Sequence, residues 1–179
     1  MKVWDRFLRA AHWCLAACVV SAWLTGELKL KSLERPHEWI GYAVLAVVAL
    51  RFAWGWIGPR YARFGQFIAG PSRTLSYAKA LLRGEEPRYL GHNPLGACMI
   101  LALLVMAALA SLSGWLSVTD RFWGVDWVQD AHRVFGDGVI VLAALHVAGV
   151  AYTSLRQGEN LVAAMWSGVK RPAGPGDIA

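Results

Sequence analysis

The sequence predicts an all-α membrane protein, a four-transmembrane-helix bundle with both termini in the cytoplasm. Three observations carry that prediction. Of 179 residues, 56% are hydrophobic, and the mean hydropathy is +0.38, which is too apolar for an ordinary soluble domain. Four apolar stretches, 7–24, 39–57, 95–116 and 134–155, are long enough, or nearly so, to cross a hydrocarbon core of about 30 Å. Ten tryptophans are present, and most flank those stretches, among them Trp4, Trp23, Trp39, Trp56, Trp115, Trp123 and Trp127. Indole rings favour the headgroup level, so this pattern reads as two aromatic belts.

Each element follows from local signals, and residues 1–179 read as one membrane domain. The first helix, 7–26, has a basic start in Lys2, Arg6 and Arg9 followed by an apolar run, so it imitates a signal peptide. No small-residue cleavage site follows it, and His12 and Trp13 lie inside it, so it reads as a retained helix. Pro36 suits a first helical turn; the second helix then runs over 37–57 and ends at Gly58-Pro59. Residues 58–94 form a long cytoplasmic connection. Within it, PSRTLSYAKALLRGEEP predicts a short amphipathic helix with Leu75, Ala78, Leu81 and Leu82 toward the membrane surface. Asn93-Pro94 opens the third helix, 95–116. Residues 117–131 read as an external loop with Phe122, Trp123, Trp127 and Val128 at the interface, and the fourth helix covers 132–155. The final stretch, 170–179, with Pro172, Gly174, Pro175 and Gly176, reads as a poorly ordered tail.

Charge sets the orientation. Twelve of the eighteen Lys and Arg residues fall in the N-terminal segment, the 58–94 connection and the C-terminal segment. The other two connections hold Lys29, Lys31, Arg35, Arg121 and Arg133, largely offset by Glu27, Glu34, Asp120, Asp126 and Asp130. The positive-inside rule therefore places both termini in the cytoplasm. The net charge of +6 needs no nucleic-acid partner, and a basic cytoplasmic face suits anionic lipid.

The histidines carry the chemistry. His132 and His146 lie fourteen residues apart in DAHRVFGDGVIVLAALHVAG. At about 100° and 1.5 Å per residue they share one helix face, about 21 Å apart along the axis. Taken alone, either could be an interfacial or core side chain. His12 and His37 supply one further imidazole at each depth, which pairs His12 with His146 and His37 with His132. Ionisable groups within spans are costly and usually face a partner in the bundle interior. Two such layers, with no carboxylate or thiolate adjacent in sequence, suit bis-histidine haem iron better than zinc, which favours a closed four-ligand shell. Small residues lie one turn from each histidine: Ala16, Gly41, Gly136 and Gly149. There a flat macrocycle would approach the backbone, although small residues also assist ordinary helix packing in lipid.

VWDRFLRAAHW, HEWIGY, GHNPLGA and LHVAGV resemble the bacterial cytochrome b561 family, including the b-type cytochrome subunits of nickel–iron hydrogenases. The likeness extends through GENLVAAMWSGVKRP and so covers essentially the whole chain. It implies two b haems within a four-helix bundle, ligated from helices one, two and four, and electron exchange with quinone. Carried over by position, the ligands are His12, His37, His132 and His146, in agreement with the depth argument.

Other polar groups take roles around that frame. Arg51, fourteen residues after His37, is either a partner for an inner haem propionate or a snorkelling side chain. Arg35 and Arg133 are the corresponding candidates at the outer haem. His92 and Asn93 are candidates for a quinone pocket near the inner haem, with a surface or capping histidine as the plain alternative. Cys14, Cys18 and Cys98 lie within spans, and no Cys-x-x-Cys-His occurs, so c-type attachment and a disulfide framework are not expected. The reading is a di-haem b cytochrome linking the quinone pool to a periplasmic c-type cytochrome or hydrogenase-like subunit; a homodimer is compatible with it. The alternative is a stand-alone quinone-linked oxidoreductase acting on a small species such as superoxide at the periplasmic haem. A plain membrane anchor without haem is a third reading.

Overall fold

The computed structural model describes residues 1–179. It is all-α, without strands. Four long helices, α1 (Arg6–Glu27), α2 (Glu34–Ile57), α5 (Pro94–Ser117) and α6 (Asp126–Gln157), are long and apolar enough to cross a membrane. Three short ones lie outside the spans: α3 (Phe64–Phe67), α4 (Pro71–Arg83) and α7 (Leu161–Ser167). At 1.5 Å per residue the shortest span covers about 33 Å, enough for the hydrocarbon core. The surface is what lipid requires. Val20, Leu24, Leu50, Val105, Leu112, Val141, Leu145 and Val147 are exposed, while the buried interior of the spans is made of small and branched residues such as Ala11, Val44, Val48, Ala97 and Val139. Between helices in lipid, close packing of small residues replaces the hydrophobic drive.

The chain divides into two compact units. One comprises 10–52 and 102–145; the other comprises 1–9, 53–101 and 146–179. Every long helix contributes residues to both.

Helix ends differ from expectation in ways that matter for the site. α6 begins at Asp126, six residues before the predicted start, so His132 lies inside its second turn rather than at the helix boundary. Asp126 in the first turn complements the positive end of the helix dipole. The loop accordingly shortens to 118–125, and Trp127 and Val128 belong to α6. Val128 is 0% exposed, so it packs in the interior and not at the interface. α2 begins at Glu34, placing His37 one turn in. Asp5 starts α1: its Oδ1 accepts from the Leu8 N–H at 3.0 Å, as an N-cap does, and also from Trp54 Nε1 at 3.2 Å.

In the second unit α4 forms as predicted, with Pro71 in its first turn and Gly84 (φ +72°) closing it. The N–H groups of Gly84 and Glu85 reach Leu81 and Ala80 in the Schellman pattern. Leu75 and Leu82 are exposed, whereas Ala78 and Leu81 are partly covered, and the buried residue of this helix is Tyr77. Burial, with the charge of Glu86, pushes the Tyr77 hydroxyl up to about 12.

The C-terminal segment corrects the sequence reading most clearly. Residues 170–179 are fastened, not loose. Arg88, 7% exposed, pairs with Glu159 at 3.0 Å and Asp177 at 2.5 Å and donates to the carbonyls of Arg171 and Pro172. Ile178 N–H donates to Arg88 O and Leu90 N–H to Ile178 O. Lys170 reaches Tyr89 O at 3.1 Å, and the N-terminal ammonium donates to Lys170 O. A tail rich in Pro and Gly holds one conformation here because a buried guanidinium needs acceptors, and the tail supplies them.

Candidate haem-ligand site

Within the first unit, all four long helices contribute to one polar locus. His37 of α2 and His132 of α6 face each other with ring centroids 5.9 Å apart and planes at 83°. The His37 Nδ1 lies 3.0 Å from Ala22 O and 3.0 Å from Thr25 Oγ1 of α1. Ala22 O can only accept, so Nδ1 carries the proton. The single Thr25 hydroxyl hydrogen has Ser21 O at 2.8 Å and Ala22 O at 3.0 Å as acceptors, which leaves its oxygen to accept from the His37 Nδ1–H. The His132 Nδ1 lies 2.9 Å from Ala110 O of α5, which imposes the same tautomer. Both rings thus keep a lone pair on Nε2, the nitrogen left for a metal.

The glycines agree with that arrangement. A Cβ at Gly114 of α5 would lie 2.9 Å from His132 Cε1, and one at Gly26 of α1 would lie 3.3 Å from His37 Cε1. These two positions are glycine because an imidazole occupies the side-chain space. Gly41 and Gly136, one turn from each histidine, differ: a Cβ there would meet nothing within 4 Å. Contact with a neighbouring side chain therefore does not require glycine at either position.

The donors can be tested against a haem iron directly. Two axial imidazoles on one metal, with bonds of about 2.0–2.1 Å, place their ring centroids about 6.3 Å apart. The observed centroid separation is 5.9 Å, within half an ångström of that spacing, and each Nδ1 is committed to a backbone acceptor. No three His, Cys, Asp or Glu side chains converge anywhere, and a closed zinc shell would require four.

The remaining sequence-predicted residues are distributed as follows. His12 lies in α1 within the first unit and His146 in α6 within the second, each half-buried. Arg51 is 5% exposed, so it does not snorkel to the surface. Arg35 is exposed; Arg133 is also exposed and pairs with Asp130 at 3.0 Å. That pairing offsets the charge of Arg133, on which attraction of a small anion would draw. His92 is neither a surface nor a capping residue: its ring lies between Trp4 at 4.6 Å and Phe67 at 4.8 Å. Asn93 is the cap, its Oδ1 accepting from Gly96 N–H at 2.7 Å. Cys14, Cys18 and Cys98 are free thiols.

Sequence reasoning missed Thr25, Gly26, Ala110 and Gly114. The two carbonyl acceptors have no sequence signature, because any residue supplies one. Gly114, inside an otherwise unbroken apolar helix without a ligand of its own, was the legible signal.

Fold and site together define a class: a multi-pass membrane protein in which two histidines from different spanning helices face each other, each held by a backbone carbonyl. The particular assignment is equally direct. The chain belongs to the prokaryotic cytochrome b561 family, whose model matches residues 3–168. Searches of curated proteins and of solved structures gave no match. Membership makes this chain a membrane-embedded b-type cytochrome that binds b-type haem and works in electron transfer.

Proposed function

We propose that the protein holds two b haems, one on His37 and His132 and one on His12 and His146. It passes single electrons across the inner membrane between quinone in the bilayer and a periplasmic redox partner, a c-type cytochrome or hydrogenase-like subunit. The observation that carries this reading is the His37/His132 pair, with its 5.9 Å ring separation and both Nδ1–H groups bound to acceptors. Haem, once bound, supplies reversible one-electron exchange at a potential set by axial ligands, burial and nearby charge.

The residues of this chain do the positioning. Ala22 O, Thr25 Oγ1 and Ala110 O fix the imidazole orientation and raise ligand basicity. The second pair takes one histidine early in α1, His12, and one fourteen residues beyond His132, His146. Arg51, buried in α2, is the candidate partner for a propionate of the inner haem, with Arg35 and Arg133 as outer candidates. His92 within its aromatic surroundings, beside Asn93, is the candidate donor for a quinone carbonyl on the cytoplasmic side.

The test is haem stoichiometry of purified variants. His37→Ala and His132→Ala each lose one haem, the same one, and His12→Ala and His146→Ala each lose the other. Any of the four that retains two haems per chain removes that residue from the ligand set. In variants with both haems intact, His92→Ala with Asn93→Ala slows reduction by quinol while leaving exchange with the external partner unchanged. If quinol kinetics instead respond to Arg35 and Arg133, the quinone lies on the outer side.

A further inference from the structure

The turn beyond α2 builds a hollow that electron transfer does not use. A Cβ at Gly55 would lie 2.1 Å from Phe64 Cε2 and 2.6 Å from Cζ, so only glycine at 55 lets this ring edge press on the helix. Phe64 also meets Trp56 edge-on at 5.9 Å. With Phe64 seated there, Gly55, Trp56, Arg60, Arg63, Gly65 and Gln66 line a cavity of about 400 Å³. Its chemistry is one-sided, for no acidic residue lines it.

Arg63 Nε donates to Gly58 O at 2.6 Å, which ties the guanidinium to the end of α2 and leaves its two terminal nitrogens without a carboxylate. Arg60 lies over the Tyr61 ring at 5.6 Å and has no ion pair either. Gln66 Oε1 is buried and accepts no hydrogen bond. Immediately alongside, Trp56 is 73% and Ile57 72% exposed at the end of a membrane span, which is the depth of lipid headgroups.

We propose that this hollow binds the headgroup of an anionic phospholipid of the phosphatidylglycerol class. Two guanidinium forks match phosphate oxygens in geometry as well as charge. The phosphatidylglycerol headgroup keeps its full negative charge, whereas the choline of phosphatidylcholine offsets it. Trp56 and Ile57 flank the acyl chains. Basic pockets beside spanning helices are where anionic lipids are retained.

The experiment is native mass spectrometry of the full-length haem-loaded protein in detergent, titrated with phosphatidylglycerol or phosphatidylcholine. One phosphatidylglycerol is retained per chain, and phosphatidylcholine is not. Arg60→Gln with Arg63→Gln weakens retention about 10- to 30-fold. Arg60→Gln alone, which breaks no hydrogen bond within the protein, weakens it about fivefold and decides the matter if the double variant does not fold. Undiminished retention in Arg60→Gln overturns the proposal. So does displacement of the lipid by millimolar inorganic phosphate, which would make this a free-anion site, or by a short-chain quinone, which would make it a quinone slot.

Discussion

Gly114→Ala is the sharpest test of how the His37/His132 site is held. Its Cβ would arrive 2.9 Å from His132 Cε1 and 3.1 Å from Nδ1. Ordinary carbon contacts are about 3.5–4.0 Å, so the imidazole must retreat by roughly half an ångström. A shift of that size carries the 2.9 Å Nδ1–Ala110 bond beyond about 3.2 Å, the outer limit of a good hydrogen bond. The direct loss is about 1 kcal/mol. Loss of the group that orients a ligating histidine lowers metal affinity about 10- to 100-fold. Haem content, the low-spin electron paramagnetic resonance signals and a redox titration of the purified protein read the result. One haem is expected to be partly lost or shifted in potential, with the other unchanged. Two haems with unaltered spectra and potentials would refute the claim that α5 positions His132.

Three further perturbations follow from the same geometry. Thr25→Val removes one of two acceptors at His37 Nδ1 while Ala22 O remains, so haem is retained and the midpoint potential of that haem shifts. Gly55→Ala drives a methyl into Phe64, which costs about 1–3 kcal/mol and appears as a lower thermal midpoint without haem loss. Arg88→Met leaves buried Glu159 without its main partner, costs about 3–5 kcal/mol and exposes residues 170–179 to limited proteolysis. The same tail responds to acid. Burial pulls the Glu159 carboxyl up, but the Arg171 N–H, Arg88 and Lys170 outweigh it and hold the group below its ordinary value. A Gly174 N–H, then Arg88, holds the Asp177 carboxyl low. Folded values below the unfolded ones give stability that is complete above the ordinary carboxylate range and is lost as pH falls through the lowered values. Cleavage of the tail by an acid protease is therefore expected to rise below that range, and to be independent of pH in Glu159→Gln with Asp177→Asn.

The sequence by itself determined the class, the four spans and the meeting of His37 with His132. Each of these is local or periodic: hydropathy over about twenty residues identifies a span, and helix rise converts a fourteen-residue gap into a depth. α4 was equally legible, because Pro71 and Gly84 punctuate it and its apolar residues repeat at helical spacing. What tertiary structure alone decided is how each imidazole is held. Ala22 O and Ala110 O reach His37 and His132 from helices fifteen and twenty-two residues away in sequence, and a backbone carbonyl carries no sequence signal. The same holds for the C-terminal segment. Composition made it loose, but Arg88, buried seventy-one residues before Glu159, required acceptors that only the folded tail provides. Local signals specify where a helix begins and which depth it carries a ligand to; the partners of buried polar groups are set by which segments meet, and only the folded chain determines that.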